Sequence, residues 1–219
     1  MRRTLLLADA HRVLTDALAH FLSPAYDIVG HTQNGRKLVE LAGQLRPDLI
    51  VLEITLPLLN GIEAMRVMQR SGIRSKFVVL TMHADTSLAV DALRAGASAV
   101  VLKQSAGKEL AAALSRALGD RIYVSPLLPD VVTLLAMAAR KPSTSVTSWL
   151  TPRKREVLQL VSEGKSIKEI AGLLSISPRT AESYKYEMMR HLGLHSTAEL
   201  VQYAIRIGVS IVTPFSAAA

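Results

Sequence analysis

Between residues 4 and 119, short apolar runs alternate five times with amphipathic stretches, and this alternation restricts the possible folds more than any other feature. The apolar runs have the length of strands and the amphipathic stretches the length of helices, so the pattern predicts five β/α units. Such units build a parallel sheet that is covered by helices on both faces. The predicted strands are 5–8, 27–30, 49–52, 77–81 and 99–102, and the predicted helices are 11–22, 35–45, 61–70, 87–95 and 107–118.

A second domain is predicted after a linker. Residues 120–149 form this linker, with a helix expected from Ser125-Pro126 to Arg140 and a polar tether rich in Pro, Ser and Thr after it. Residues 150–212 are punctuated as four short helices, which include two capping-box sequences, and residues 213–219 form a tail. We therefore expect an α/β domain over residues 1–119 and an all-α domain over residues 150–212.

Composition bounds the compartment and the partners. The 219 residues contain no cysteine, which excludes disulfides and thiolate metal sites. No apolar run approaches the roughly 20 residues of a membrane span, and no signal peptide is recognisable, so we expect a cytoplasmic protein without membrane contact. The net charge of +8 divides into +3 over residues 1–120 and +5 over residues 121–219. This bias is consistent with a polyanionic partner.

An acidic residue ends the third predicted strand. Glu53 directly follows the fully apolar run 49–52, which reads as a buried parallel strand. In open α/β sheets, ligands and chemistry lie at the carboxyl ends of the strands. The sequence therefore predicts a site around Glu53.

Short motifs at the ends of the predicted elements occur in an order typical of one protein family. The N-terminal motifs are Leu6-Leu7-Ala8-Asp9, Pro57, Gly61, Thr81, Ala95-Gly96-Ala97 and Lys103. The C-terminal motifs are Leu150-Thr151-Pro152-Arg153, Glu156-Val157-Leu158, Lys168-Glu169-Ile170-Ala171 and Ser177-Pro178-Arg179-Thr180. Over almost its whole length the chain resembles two-component response regulators with a LuxR-type output domain. The resemblance implies a flavodoxin-like (βα)5 receiver followed by a four-helix, helix-turn-helix DNA-binding domain.

The resemblance also implies a phosphorylation pocket, which is altered here. Receivers of this family phosphorylate an aspartate with Mg²⁺ held by that aspartate and an acidic pair. Here Asp9 remains, Ala10 replaces its acidic neighbour, and Glu53 stands at the phosphoacceptor position beside Thr81 and Lys103. Because phosphoryl transfer depends on positioning and charge neutralisation, we expect little or no phosphorylation, weak or absent Mg²⁺ binding and no other cofactor.

Two interpretations of Glu53 remain open at this level. Its carboxylate either reaches towards Thr81 and Lys103 and imitates a phosphorylated aspartate, or simply pairs with Lys103. The second is favoured because the aromatic residue that the family uses on the fifth strand is replaced, at Val100. A receiver without phosphorylation would serve as a dimerisation platform or bind a small-molecule ligand in this pocket.

The segment from Ser177 to Leu192 is predicted to read DNA. Its apolar stripe consists of Ala181, Tyr184, Met188 and Leu192, so the opposite face is free for the major groove. We expect base contacts from Glu182, Ser183 and Tyr186 and phosphate contacts from Arg179, Lys185 and Arg190. Lys165 and Lys168, near the start of the preceding helix, are expected to add to this footprint. The alternative is a merely solvated charged face.

The last helix is the predicted dimer contact. The resemblance implies that Val201 and Ile205 pair two such domains as a homodimer on an inverted-repeat operator, with packing inside one domain as the alternative. His191 and His195 have the spacing of a helical metal pair, but Gly193 interrupts the helix, and no metal site is predicted.

The function predicted from these residues is phosphorylation-independent, sequence-specific regulation of transcription. A conventional phosphorylation-dependent regulator and an interaction adaptor that binds no operator are the alternatives. An enzyme on the same fold is disfavoured, since the sequence has no Gly-rich phosphate loop, no nucleophile elbow and no metal-ligand cluster, and no catalytic residue is assigned.

Overall fold

The computed structural model describes residues 2–139 and 149–210. The chain forms two compact units. Residues 2–139 belong to the N-terminal unit and residues 149–210 to the C-terminal unit. Within the described residues, no helix combines the length and the apolarity that a bilayer crossing requires.

The N-terminal unit contains a six-stranded parallel sheet in the order β2-β1-β3-β4-β5-β6. The flavodoxin-like fold class predicted from the sequence is confirmed, with one strand more than the five predicted. The strands are β1 Thr4–Ala8, β2 Asp27–Thr32, β3 Leu49–Leu52, β4 Lys76–Thr81, β5 Ala97–Leu102 and β6 Tyr123–Val124.

Helices cover both faces of this sheet. They are α1 Arg12–Leu22, α2 Gly35–Leu45, α3 Gly61–Arg70, α4 Thr86–Arg94 and α5 Ala106–Leu118. One core cluster joins side chains of α2, α3 and α4 to one face, and a second joins those of α1 and α5 to the other. Strand residues therefore alternate between two buried layers, which explains why the strands read as continuous apolar runs.

The helix predicted to start at Ser125-Pro126 begins later. Helix α6 spans Val131–Ala139, and Asp130 accepts hydrogen bonds from the amides of Val132 and Thr133 at 3.0 Å each. The chain first adds β6 to the sheet and then turns. Arg140, the predicted end of this helix, lies outside the described residues. The buried Leu134 packs into the receiver core, so α6 belongs to the N-terminal unit.

The C-terminal unit consists of α7 Pro152–Ser162, α8 Ile167–Leu174, α9 Pro178–Leu192 and α10 Thr197–Arg206. The predicted all-α fold is confirmed. Both capping boxes form, at Ser166 with Glu169 and at Ser196 with Glu199, and they satisfy orphan amides at the two helix starts. Helix α7 packs on α9 and α10, and α8 packs on α9, so the four helices share one core.

Candidate functional site

The acidic pocket, defined as Asp9, Ala10, Glu53, Thr81 and Lys103, lies at the carboxyl edge of the sheet. Strands β1 and β3 are neighbours, with Ala8 paired to Leu52, so the next residues of both strands emerge side by side. These residues are Asp9 and Glu53, each only 3% exposed. The sheet topology therefore places two carboxylates together in a buried position.

Close packing behind Glu53 explains the predicted Gly61. A Cβ atom at this position would lie 2.2 Å from the carbonyl oxygen of Glu53. Such a contact is far below van der Waals distance, so only glycine allows α3 to start against the end of β3. Asn60 caps the helix by accepting a hydrogen bond from the amide of Ile62 at 2.9 Å.

The ammonium of Lys103 lies between the two carboxylates. Its Nζ is 2.5 Å from Oδ2 of Asp9 and 2.8 Å from Oε2 of Glu53. The Lys103 side chain is 8% exposed and both acidic side chains are 4% exposed. One cation therefore links two acids in a site almost closed to water.

The other carboxylate oxygens also have donors. Oδ1 of Asp9 accepts the backbone amide of His11 at 3.0 Å and lies 3.1 Å from Nδ1 of the same residue. Oε1 of Glu53 accepts the amides of Ile54 and Thr55 at 2.6 and 3.4 Å. Each acid is thus held by the lysine on one oxygen and by nearby loop groups on the other.

Burial is the largest single influence on Lys103, and by itself it lowers the pKa of the ammonium. The charges of Glu53 and Asp9 and their hydrogen bonds act in the opposite direction and together outweigh it. The pKa of Lys103 is therefore raised above its ordinary value of 10.5, and the lysine remains charged at neutral pH.

The remaining pocket residues do not extend this charged group. Thr81 is buried, and its hydroxyl accepts the amide of His83 at 3.2 Å. Ala10 contributes no side-chain oxygen, and Val100 is buried in the core. Sequence analysis placed Thr81 correctly at the end of β4 and Val100 on β5, but it did not identify the donors from His11 and from the loop after Glu53.

Helix α9 presents the predicted DNA-contacting face. Its buried side is formed by Ala181, Met188 and Met189, whereas the predicted stripe residues Tyr184 and Leu192 are only half-buried. The opposite side carries the predicted contacts. Arg179, Glu182, Ser183, Tyr186 and Arg190 are exposed, and Lys185 is half-buried with its Nζ 5.8 Å from the centre of the Tyr186 ring.

The two lysines predicted on the preceding segment lie near the start of α8. Lys168 is exposed on the first turn of the helix. Lys165 is half-buried, with its ammonium 3.9 Å from the Glu169 carboxylate. Since α8 packs on α9, both cations belong to the same small domain as the predicted reading helix.

A group that sequence analysis missed fixes the C-terminal half of α9. The Trp149 ring stacks on His191 with centroids 4.2 Å apart, and Nζ of Lys154 lies 2.7 Å from Oε1 of Glu187. The first contact joins the chain before α7 to the last turns of α9, and the second joins the first turn of α7 to them. Neither pair has a helical spacing, so the sequence offers no local signal for them.

Helix α10 places its apolar residues at two depths. Leu200, Tyr203 and Ala204 are buried in the domain, while the predicted dimer contacts Val201 and Ile205 remain half-buried. Leu200, Tyr203 and Ala204 therefore serve packing inside the domain, and the predicted dimer contact of Val201 and Ile205 stays a prediction.

Comparisons with known proteins agree with both units. The model of the response regulator receiver domain matches residues 5–115, and that of the luxR family of bacterial regulatory proteins matches residues 148–204. The nitrate/nitrite response regulator NarL of Escherichia coli K12 is 32% identical over 198 residues, which are 90% of this chain and 92% of NarL. The response regulator UvrY of the same organism is 26% identical over 208 residues, which are 93% of this chain and 94% of UvrY.

Solved structures extend the agreement to the fold. The RcsB response regulator of Salmonella typhimurium is similar with a TM-score of 0.65 and 23% identity, over 96% of this chain and 99% of RcsB. The family models and NarL together account for both units described above. The chain therefore belongs to the response regulators that join a receiver domain to a LuxR-type DNA-binding domain, and it is a DNA-binding regulator of transcription.

Proposed function

We propose that this protein regulates transcription by binding an operator as a homodimer, without phosphorylation of its receiver. The observation that carries the proposal is the Lys103 ammonium, which bridges Asp9 and Glu53 at 2.5 and 2.8 Å. A receiver that accepts a phosphoryl group needs a free carboxylate, a metal ion and space for in-line attack. In this pocket the Lys103 ammonium contacts one oxygen of each carboxylate, and Ala10 supplies no further oxygen for a metal ion.

The donor set does not fit Mg²⁺. This ion requires near-ideal octahedral coordination by oxygen atoms, usually with several waters. Ala10 supplies no oxygen, and a lysine cation contacts the oxygens of Asp9 and Glu53 that point into the site. A divalent cation in the same place would face a fixed positive charge at about 3 Å, where repulsion is strong.

The same contacts support pairing rather than phosphate imitation as the role of Glu53. Oε2 of Glu53 contacts Lys103 and Oε1 accepts the amides of its own loop. An imitated phosphate would engage the Thr81 hydroxyl, whereas the contacts of the Glu53 carboxylate described above go to Lys103 and to the amides of Ile54 and Thr55. Both carboxylates are already paired on each of their oxygens, so they are poorly suited to bind a small-molecule ligand in this pocket.

The phosphorylation prediction is tested by intact mass. Incubation of the full chain with acetyl phosphate and Mg²⁺ should add no phosphoryl group, which would weigh about 80 Da. The matched variant Ala10→Asp with Glu53→Asp places an aspartate carboxylate at both positions, as in the receivers that the sequence resembles. We expect this variant to gain the phosphoryl adduct. An adduct of about 80 Da on Glu53 or Asp9 of the wild type would contradict the proposal.

DNA binding as a dimer is supported by the exposed face of α9 and by the half-buried Val201 and Ile205 of α10. RcsB, whose fold this chain shares, has been solved as dimers bound to DNA. Two copies related by a twofold axis present two reading helices, which matches an inverted-repeat operator.

The dimer contact is tested with Val201→Glu and Ile205→Glu combined. Placing two carboxylates in an apolar helix contact should shift binding on a selected inverted-repeat duplex from two chains to one. Sedimentation of the protein–DNA complex measures this stoichiometry. Gln202→Glu, on the exposed side of the same helix, is the control and should leave two chains bound. Unchanged stoichiometry in the double variant would remove Val201 and Ile205 from the interface.

A further inference from the structure

A second concave site lies at the amino edge of the sheet, at the end of the receiver opposite to Glu53. It is a cleft of about 590 Å³ formed where the chain enters β1, β3 and β4 and where α5 ends. This volume lies within the range of small-molecule sites, which is roughly 300–1,000 Å³. The cleft lies wholly within the N-terminal unit and shares no residue with the acidic pocket.

Four cations border this cleft. Arg3 lies 2.7 Å from Asp48, and Lys76 pairs with Asp120. Arg46 and Arg74 are exposed, and over residues 2–139 and 149–210 neither has an acidic partner. Two guanidinium groups at the rim are therefore available to an anion.

The acid that lines the cleft is already engaged. Oδ2 of Asp48 accepts both the amide and the hydroxyl of Thr4 at 2.9 Å, and Oδ1 accepts Arg3 at 2.7 Å. These bonds, the Thr4 amide first among them, lower the pKa of the Asp48 carboxyl. Asp48 thus fixes Arg3 and the floor of the cleft, and its oxygens are not directed to Arg46 or Arg74.

Arg46 has a backbone conformation in which glycine would be more stable. It ends α2 with φ +43° and ψ +56°, the left-handed conformation in which helices commonly place glycine. A side chain there is strained, and such positions concentrate at functional sites. Arg46 is also among the residues that line the cleft.

From this arrangement we propose that the cleft binds a phosphate-bearing small molecule of nucleotide size. Guanidinium groups bind phosphate oxygens in bidentate geometry, and four bordering cations suit the multiple negative charge of a phosphate ester better than the single charge of a halide or a simple carboxylate. The apolar part of the lining comes from the half-buried Leu118 and from the edges of the largely buried Pro47 and Ile73, and this side suits the ring of a nucleoside. The concave shape favours a small molecule over duplex DNA, whose phosphates require an extended basic surface.

Calorimetric titration of the full chain with inorganic pyrophosphate and with adenosine diphosphate tests the site. Both probes should bind wild type, the nucleotide more tightly because it also covers the apolar wall. Arg74→Gln should weaken both probes about tenfold, the effect of losing one charged hydrogen-bonding partner. Lys108→Gln removes the same charge from an exposed position on α5 and should leave both affinities within about twofold.

Arg46→Gly separates binding from folding. Glycine suits the left-handed position, so this variant should keep or raise Tm while weakening both probes about tenfold. Retained binding in Arg46→Gly and Arg74→Gln, or an equal loss in Lys108→Gln, would overturn the proposal. Absence of binding by both probes to wild type would also overturn it. Direct binding of duplex DNA that depends on Arg46 and Arg74, without binding of either probe, would assign the cleft to nucleic acid instead.

Discussion

Lys103→Met is expected to lower the free energy of unfolding of the receiver by about 3–5 kcal/mol at neutral pH, the usual cost of removing one partner from a buried ion pair. In the native protein Lys103 is 8% exposed and contacts Asp9 and Glu53 together. Methionine fills the same volume but leaves two carboxylates facing each other without a counterion. The loss should therefore exceed that of an ordinary core substitution of similar size.

The two units allow this loss to be assigned within the full chain. The single tryptophan, Trp149, lies in the C-terminal unit, so its fluorescence reports that unit during urea unfolding. Far-ultraviolet circular dichroism reports both units. Lys103→Met should shift the unfolding transition of the N-terminal unit, which only dichroism detects, to lower urea concentration. The transition detected by fluorescence should stay in place.

Two further variants separate the buried charge from other effects. Glu53→Gln with Lys103→Met removes one of the two facing charges and should be more stable than Lys103→Met alone. Lys37→Met breaks an exposed ion pair with Glu40 of similar length, 2.7 Å, and should change stability little. If Lys103→Met costs no more than Lys37→Met, the bridging role of Lys103 is wrong.

The pH dependence of the wild type follows from the same pair of contacts. The pKa of Lys103 is raised on folding, so its contribution is complete below the unfolded value of about 10.5. It is lost as pH rises through the higher folded value. Acidic and neutral solutions therefore retain the lysine's charge, and only alkaline solution removes it.

The sequence predicted the parts of the fold that repeat or that carry strong local signals. Strand β3 and helices α2 and α3 have the predicted bounds. Apolar runs and helix starts are signals in the local sequence, and for this reason they could be read directly. Strand β6 was missed because its two residues are too short to show any period. The start of α6 was misplaced because the first of two nearby prolines was taken as the helix start, whereas Asp130 provides the cap.

The acidic pocket could be predicted to the level of which residues meet, since strand ends in one parallel sheet share an edge. The donors that complete it could not. The amide of His11 and the amides after Glu53 depend on loop conformation, which residue types do not determine. On α9, Met189 replaced Tyr184 as a buried residue, because tertiary packing selects which side of a wide apolar stripe faces inwards.

Arg179→Ala combined with Lys185→Ala is expected to weaken binding to every duplex and to flatten its dependence on salt. Arg179 is exposed on the first turn of α9, and Lys185 lies two turns further with its ammonium beside the Tyr186 ring. If both contact phosphates, each loss should reduce the slope of log affinity against log salt by about 1. A selected operator and an unrelated duplex of equal length should therefore lose affinity in parallel.

Ser183→Ala and Glu182→Ala should behave differently, because both exposed side chains lie where the helix enters the groove and are predicted to contact bases. Each should weaken binding to the selected operator by about 1–3 kcal/mol, leaving the affinity for the unrelated duplex and the salt slope nearly unchanged.

Arg70→Ala with Lys108→Ala removes the same charge as Arg179→Ala with Lys185→Ala, but from exposed sites on the receiver, and is the control for net charge. A titrated gel shift across several salt concentrations measures all of these quantities. If the control flattens the slope as much as Arg179→Ala with Lys185→Ala, long-range charge attracts the DNA and α9 makes no direct phosphate contact. If neither changes it, DNA does not bind this face of α9, since direct contacts cannot be lost without releasing fewer counterions.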